Sequence, residues 1–239
     1  MLSIPDTRPL EFDALFSSRA LRVLVLAPHP DDFDAIAVSM RFMHEHGHEI
    51  HVCVLTSGAS GVEDGWQGMR SEEEKTCLRE AEQRASCAYF GLPPDRLSFL
   101  RLWERGEDAS DEKRLREHLL SLRPELVFLP HGNDSNRTHR RTYESFRAIA
   151  LKEGLQLWAC LNLDAKTLSM RPDLYMFFGE QDALWKGRLL RMHRSQHERN
   201  LNSRNIGFDE RILNVNRDAA RKAGSALPYA EVFELERYV

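Results

Sequence analysis

His29, Asp31, Asp32 and Asp34 fall within six residues of one another, in the segment VLVLAPHPDDFDAIAV at positions 23–38. Adjacent carboxylates beside a histidine repel one another and resist desolvation unless a cation is present. His and Asp are both good ligands for Zn²⁺ and similar divalent ions. Neighbouring residues point in different directions, so one of Asp31 and Asp32 suffices as a ligand. The other is then free to act as a base on a metal-activated water. Helix capping and the helix dipole account for the acids alone, but not for His29 and Pro30.

A second polar group lies at VFLPHGNDSNRTHRRTYESF, positions 127–146. His131, Asp134 and His139 occupy nine residues there, enough to bring a third ligand to the same ion. His139 stands at the start of a helix for which Thr138 is the expected N-cap. Trp66, in a polar loop at 57–68, offers a flat face on which a sugar ring can stack. Arg140 and Arg141 read as a solvated helix face. So does most of the basic stretch at 186–204. His44, His46, His48 and His51 read as surface residues at the far end of the second strand.

These groups need elements to hold them. RVLVLA at 22–27 is a short, β-branched-rich apolar run, as expected of a buried parallel strand. Helical spacing follows at 35–46, ending at Gly47, and a second strand at 49–56. A helix is expected over 70–90, a strand at 97–102, a helix at 111–122 stopped by Pro124, and a strand at 125–130. A helix at about 138–151, strands at 157–163 and 173–178, and one helix at 180–197 complete the pattern. Strands alternating with helices imply βαβ units. The expected fold is therefore α/β: an open, mostly parallel, Rossmann-like sheet with helices on both faces, in one domain spanning 1–239. Ligands bind such a sheet outside the carboxyl ends of its strands. The polar loops after residues 27, 56 and 130 should emerge there together.

The chain has 239 residues, 33 basic and 37 acidic, with a net charge of −4. It lacks the basic excess of a nucleic-acid-binding protein. No apolar run reaches the length of a membrane span, and the first 18 residues do not have the layout of a signal peptide. Cys53, Cys77, Cys87 and Cys160 are scattered, with no CxxC pair, as expected of reduced, mostly core-filling thiols in the cytoplasm. A homo-oligomer stays compatible with the sequence.

Several segments together resemble the PIG-L/LmbE-like zinc-dependent N-deacetylases. Ala27-Pro28-His29-Pro30-Asp31-Asp32 is similar to that family's A-H-P-D-D-E. Asn136-Arg137-Thr138-His139 is similar to its H-P-D-H. Further similarity comes, in order, from Thr56-Ser57-Gly58 with Gly61, Arg79-Glu80-Ala81-Glu82, His193-Arg194-Ser195-Gln196 and Tyr229-Ala230-Glu231-Val232-Phe233. The resemblance implies an acetylated amino-sugar substrate, typically an N-acetylglucosamine conjugate. It implies His29, Asp32 and His139 as ligands of Zn²⁺ or another divalent metal, and Asp31 as the base. It also implies substrate contact by Arg79, and an approach of His193 to the site.

Two departures bear on chemistry. The family's glutamate after Asp-Asp is Phe33 here, with Asp34 one place on. The family's first histidine of H-P-D-H is Asn136, which can donate a hydrogen bond to an oxyanion but cannot transfer a proton. His131 and Asp134 are then the candidates for an acid, and Asp134 also for a substrate contact. Other readings are a catalytically silent sugar-conjugate-binding relative, a receiver-type Mg²⁺-binding signalling domain, and a dinucleotide-binding oxidoreductase. The receiver reading leaves the histidines at 131–139 unused. The oxidoreductase reading lacks a G-x-G-x-x-G after the first strand.

Overall fold

The computed structural model describes residues 4–104 and 109–239. A short strand and helix, β1 (Leu10–Glu11) and α1 (Phe12–Phe16), precede the first long strand. The alternation then runs β2 (Arg22–Ala27), α2 (Ala37–Glu45), β3 (Glu49–Val54), α3 (Glu72–Phe90), β4 (Leu97–Phe99), α4 (Ala109–Leu122), β5 (Leu126–Pro130), α5 (Arg137–Glu153) and β6 (Leu157–Asn162). It closes with β7 (Leu174–Phe178), α6 (Glu180–Leu190), α7 (Arg194–Arg204), α8 (Phe208–Lys222) and β8 (Tyr229–Tyr238).

Beyond Arg22, β2 is apolar because both of its faces are covered. Val23, Val25 and Ala27 join a core with Phe12, Met40, Met43 and Phe90, on the side of α1, α2 and α3. Leu24 and Leu26 point the other way, to Leu115, Leu119, Phe146 and Ile149 of α4 and α5. The strand order is β1-β7-β8-β6-β5-β2-β3-β4. β2 pairs in parallel with β3 on one side and with β5 on the other. The chain thus winds outward from β2 to β4, then crosses back to β5. That reversal places a crevice at the carboxyl ends of β2 and β5, where an open α/β sheet binds ligands.

Three features depart from the sequence reading. The helix expected over 180–197 is two helices, α6 and α7, separated at 191–193. His193 sits at the break with its ring drawn inward, its Nε2 2.6 Å from Asp34 Oδ2. α8 and β8 were not anticipated, and β8 runs antiparallel between β6 and β7. His48 is buried rather than on the surface: its Nδ1 accepts from Leu21 N at 3.1 Å, and its Nε2 lies 2.8 Å from the Phe16 carbonyl. Burial lowers its pKa from the ordinary histidine value.

β8 also carries a buried charge that fixes the start of α2. The Glu231 carboxylate accepts from Val38 N at 3.1 Å, Ser39 N at 2.8 Å and Ser39 Oγ at 2.5 Å. These backbone N–H groups belong to the first turn of α2, where a helix has no partners of its own. Lys186 Nζ, fully buried, donates to Glu231 at 2.7 Å, Ala35 O at 2.6 Å and Asn216 Oδ1 at 2.8 Å. Burial lowers the Lys186 pKa, and Glu231 opposes that effect. Glu231→Ala strands a buried ammonium and uncaps α2, so it should cost about 3–5 kcal/mol. Lys186→Met leaves Glu231 with its backbone donors and should cost less. Chemical denaturation of both variants checks this order, and equal losses would refute it.

Candidate metal centre

β2 ends at Ala27, and the chain turns across the crevice. The turn is tied to the loop after β3: Thr56 donates to the Pro28 carbonyl from its N–H at 3.0 Å and from Oγ1 at 2.8 Å. The His29 N–H donates to Asp32 Oδ2 at 2.8 Å, and His29 Nδ1 lies 3.1 Å from the same oxygen. His139, on the first turn of α5, places Nε2 3.5 Å from Asp32 Oδ1. One ligand atom from each of His29, Asp32 and His139 lies within 4.8 Å of the others. Atoms bound about 2 Å from one tetrahedral ion stand about 3.3 Å apart; His29 Nδ1 is 3.1 Å from Asp32 Oδ2 and His139 Nε2 is 3.5 Å from Asp32 Oδ1, so the two imidazoles flank the two oxygens of one carboxylate. The donor set fits a divalent ion with an open side.

His139 is oriented from behind. Its Nδ1 lies 3.2 Å from Asp134 Oδ2 and 3.9 Å from Asp164 Oδ2, leaving Nε2 to face Asp32. A carboxylate behind the second ring nitrogen is the usual way to fix a ligating imidazole. Burial disfavours a charged His139. Asp32, Asp134 and Asp164 outweigh that and raise its pKa to about 10. Burial likewise pushes the Asp32 carboxyl up, and His139 and His29 more than reverse it, holding it well below the ordinary value. The field at this point strongly favours positive charge.

Asp31 stands beside the triangle with φ 122°, in the left-handed region that few non-glycine residues adopt. Such a conformation persists where the surroundings over-determine it. Here its N–H donates to Gln83 Oε1 at 2.8 Å, and its Oδ2 accepts from Arg79 Nη2 at 2.9 Å. Arg79 is 1% exposed and also donates to the Pro30 carbonyl, while its Nε and Nη1 have no hydrogen-bond partner. Gly58, with φ +65°, makes room for this packing. A Cβ there would stand 3.0 Å from Pro30 Cδ and 3.3 Å from Arg79 Nε.

The departures from the family pattern have structural counterparts. Phe33 points into the core, edge-on to Phe90 at 5.0 Å. Asp34 is fully buried and takes the polar role, accepting from Gln83 Nε2 at 3.2 Å and from Ser86 Oγ. Asn136, not Thr138, caps α5: its side chain accepts from Thr138 N at 3.0 Å.

His29, Asp31, Asp32, Arg79, Asn136 and His139 line one cavity of about 780 Å³. The other expected site residues are elsewhere. Asp134 is 1% exposed, holding His139 and Asn136 N. His131 lies 3.2 Å from Glu234 Oε2 and accepts from Asn133 N, outside the cavity lining. His193 is buried on Asp34, and half-buried Trp66 is not in the lining either. Arg140 donates to the Asp134 carbonyl, and Arg141 stacks over Trp103 at 4.4 Å. Asp164 was missed, although it follows β6 at the same carboxyl edge. Gln83, Gln196, Arg199 and Asn200 sit in helices that sequence spacing does not aim at the site.

A profile described as PIG-L, GlcNAc-PI de-N-acetylase, matches residues 24–150, just over half of the chain. The chain belongs to the PIG-L family. Among solved structures, the N,N'-diacetylchitobiose deacetylase of Pyrococcus horikoshii, in complex with an inhibitor, is 20% identical with a TM-score of 0.73. That match covers 93% of this chain and 86% of that one. The 4-carboxy-2-hydroxymuconate hydratase of Pseudomonas putida KT2440 is 19% identical with a TM-score of 0.69, over 92% and 98% of the two chains. A putative glucosamine-6-phosphate deaminase-like protein of Bacteroides thetaiotaomicron is 24% identical over 278 residues. That match spans 88% of this chain but 40% of the relative. The PIG-L fold is thus shared with a protein named as a hydratase, so the fold does not fix the reaction.

The carboxylates around His139 favour its doubly protonated form, and an ion at Nε2 would displace one of those protons. Metal binding should therefore release protons and weaken as pH falls. Calorimetry at pH 7.5 in buffers of different ionisation heat should show at least one proton released. Asp134→Asn should lower metal affinity by about 10–100-fold, and an unchanged affinity would refute the orienting role of Asp134.

Proposed function

We propose that the chain is a metal-dependent amide hydrolase that deacetylates an N-acetylglucosamine-type amino sugar or a related small conjugate. One observation carries this reading. The His29, Asp32 and His139 triangle and the Asp31 carboxylate open into the same cavity. A divalent ion held by His29, Asp32 and His139, with Zn²⁺ the first candidate, would acidify a water and polarise the amide carbonyl.

The chain's own residues do the rest. Asp31, with Oδ2 held by Arg79, takes the proton from the attacking water. With His131 outside the lining, Asp31 is also the group placed to return that proton to the amine nitrogen as the C–N bond breaks. Arg79 lines the cavity beside Asp31, and its Nε, which has no hydrogen-bond partner, offers a donor to the acetyl oxygen or a sugar hydroxyl. Asn136 has its oxygen committed to the cap of α5, which leaves its amide N–H groups for the oxyanion. A cytoplasmic location belongs to this reading, supported by four free cysteines.

Asp31→Asn should lower kcat about 10²–10⁴-fold while bound metal stays unchanged. A chelator should abolish amine release, and added Zn²⁺ or another divalent ion should restore it. Full activity in the chelated protein, or in Asp31→Asn, would overturn the mechanism. Metal binding without turnover on any acetylated sugar would favour the catalytically silent, sugar-binding alternative, for which Asn136 is the motivating residue.

A further inference from the structure

Acidic and basic side chains share the cavity. Asp31, Asp32 and Asp164 surround the metal triangle, and Arg79, Arg137 and Lys166 also enter the lining. The side formed by α7 and the start of α8 is basic, with Arg199, Arg204 and Arg211 in the lining. None of the three has a carboxylate within ion-pair distance among the described residues. Elsewhere, Arg22 is paired with Glu49, Arg41 with Asp182, Arg116 with Glu153 and Arg171 with Glu234. Gathering unmatched cations around one cavity works against stability through their mutual repulsion unless something negative enters it.

The spacing on α7 shows that this is a built face. Gln196, Arg199, Asn200 and Arg204 stand at i, i+3, i+4 and i+8, which share one helix face, and all line the cavity. Asn200 is 4% exposed, donates from Nδ2 to Gln196 O at 2.8 Å, and has no partner for its Oδ1. A buried acceptor left open costs free energy unless a ligand donor meets it. Gly61 gives the face its clearance: a Cβ there would come within 3.2 Å of Gln196 Nε2 and 3.3 Å of Arg199 Nη1.

We propose that Arg199, Arg204 and Arg211 form an anion subsite, so that the substrate is an acetylated amino sugar carrying a carboxylate or phosphate. Guanidinium groups match both anions through paired N–H donors. The three arginines of α7 and α8 attract the anionic part of the conjugate, and its acetamide then lies over the metal triangle. Asn200 Oδ1 accepts from a sugar hydroxyl. This inference rests on the deacetylase reading for the position of the acetamide, but the subsite stands on its own lining.

The test uses the zinc-loaded full chain with N-acetylglucosamine, N-acetylglucosamine 1-phosphate and N-acetylmuramic acid, read by amine release and by calorimetric binding. At least one anionic sugar should be preferred in kcat/KM by about tenfold or more, and which one separates phosphate from carboxylate. The preference should shrink at high salt. Arg199→Gln with Arg211→Gln should raise KM for that sugar by about tenfold with kcat little changed, and the neutral sugar should be affected less. Equal use of the neutral sugar, or equal losses for all three sugars in the variant, would overturn the subsite. Anion binding that the variant weakens, with no turnover of any sugar, would keep the subsite and sink the deacetylase reading. Turnover without anion preference would do the reverse.

Discussion

A buried carboxylate must be met by donors or by positive charge, and much of this molecule is arranged around that requirement. The crevice at the end of β2 brings in Asp31, Asp32 and Asp34, and the neighbouring strands add Asp134 and Asp164. Each acid has a different answer. Asp34 is closed off by His193, Gln83 and Ser86. Asp31 is held by Arg79 and remains at the cavity wall. Asp32, Asp134 and Asp164 surround His139 and leave a place where positive charge is favoured. The chemistry of the site depends on which acids are satisfied by protein groups and which are not.

The satisfied acids hold the unsatisfied ones in place. Gln83 bridges the two sets, accepting from Asp31 N through its carbonyl and donating to Asp34 through its amide. The unusual φ of Asp31 is thus maintained by a hydrogen-bonded chain that runs through α3 to His193 at the start of α7. On the other side, Glu231 and Lys186 fix Ala35 and the first turn of α2. The metal loop is clamped from α3, α6, α7 and β8.

What the sequence disclosed follows from how local each signal is. The apolar run of β2, the acids after it and the helix that carries His139 are local patterns, and the carboxyl-end rule joins them without knowledge of the packing. That rule also covers Asp164, but its own loop, Leu163 to Thr167, carries no histidine to mark it. β8 was harder to read: Glu231, Glu234 and Glu236 alternate with apolar residues, so the strand resembles a surface segment, although Glu231 is 2% exposed. The break between α6 and α7 depends on His193 reaching an acid 159 residues away. His48 looked like one of four surface histidines, and only the packing of α1 against the start of β3 shows why it is buried. Asn136 was seen as a missing acid; its role as the cap of α5 was not.

The place of β8 in the sheet has a consequence for how the site is made. β8 lies between β6 and β7, so those two strands have no neighbour on their facing edges until β8 has been synthesised. It also delivers the carboxylate that anchors the first turn of α2, nearly two hundred residues upstream. On the ribosome, the His-Pro-Asp-Asp turn emerges early but waits for β8 before its helix is anchored. During that interval the exposed edges of β6 and β7 are templates for incorrect pairing. The start of α2 is therefore held only once the strand that completes the sheet is in place.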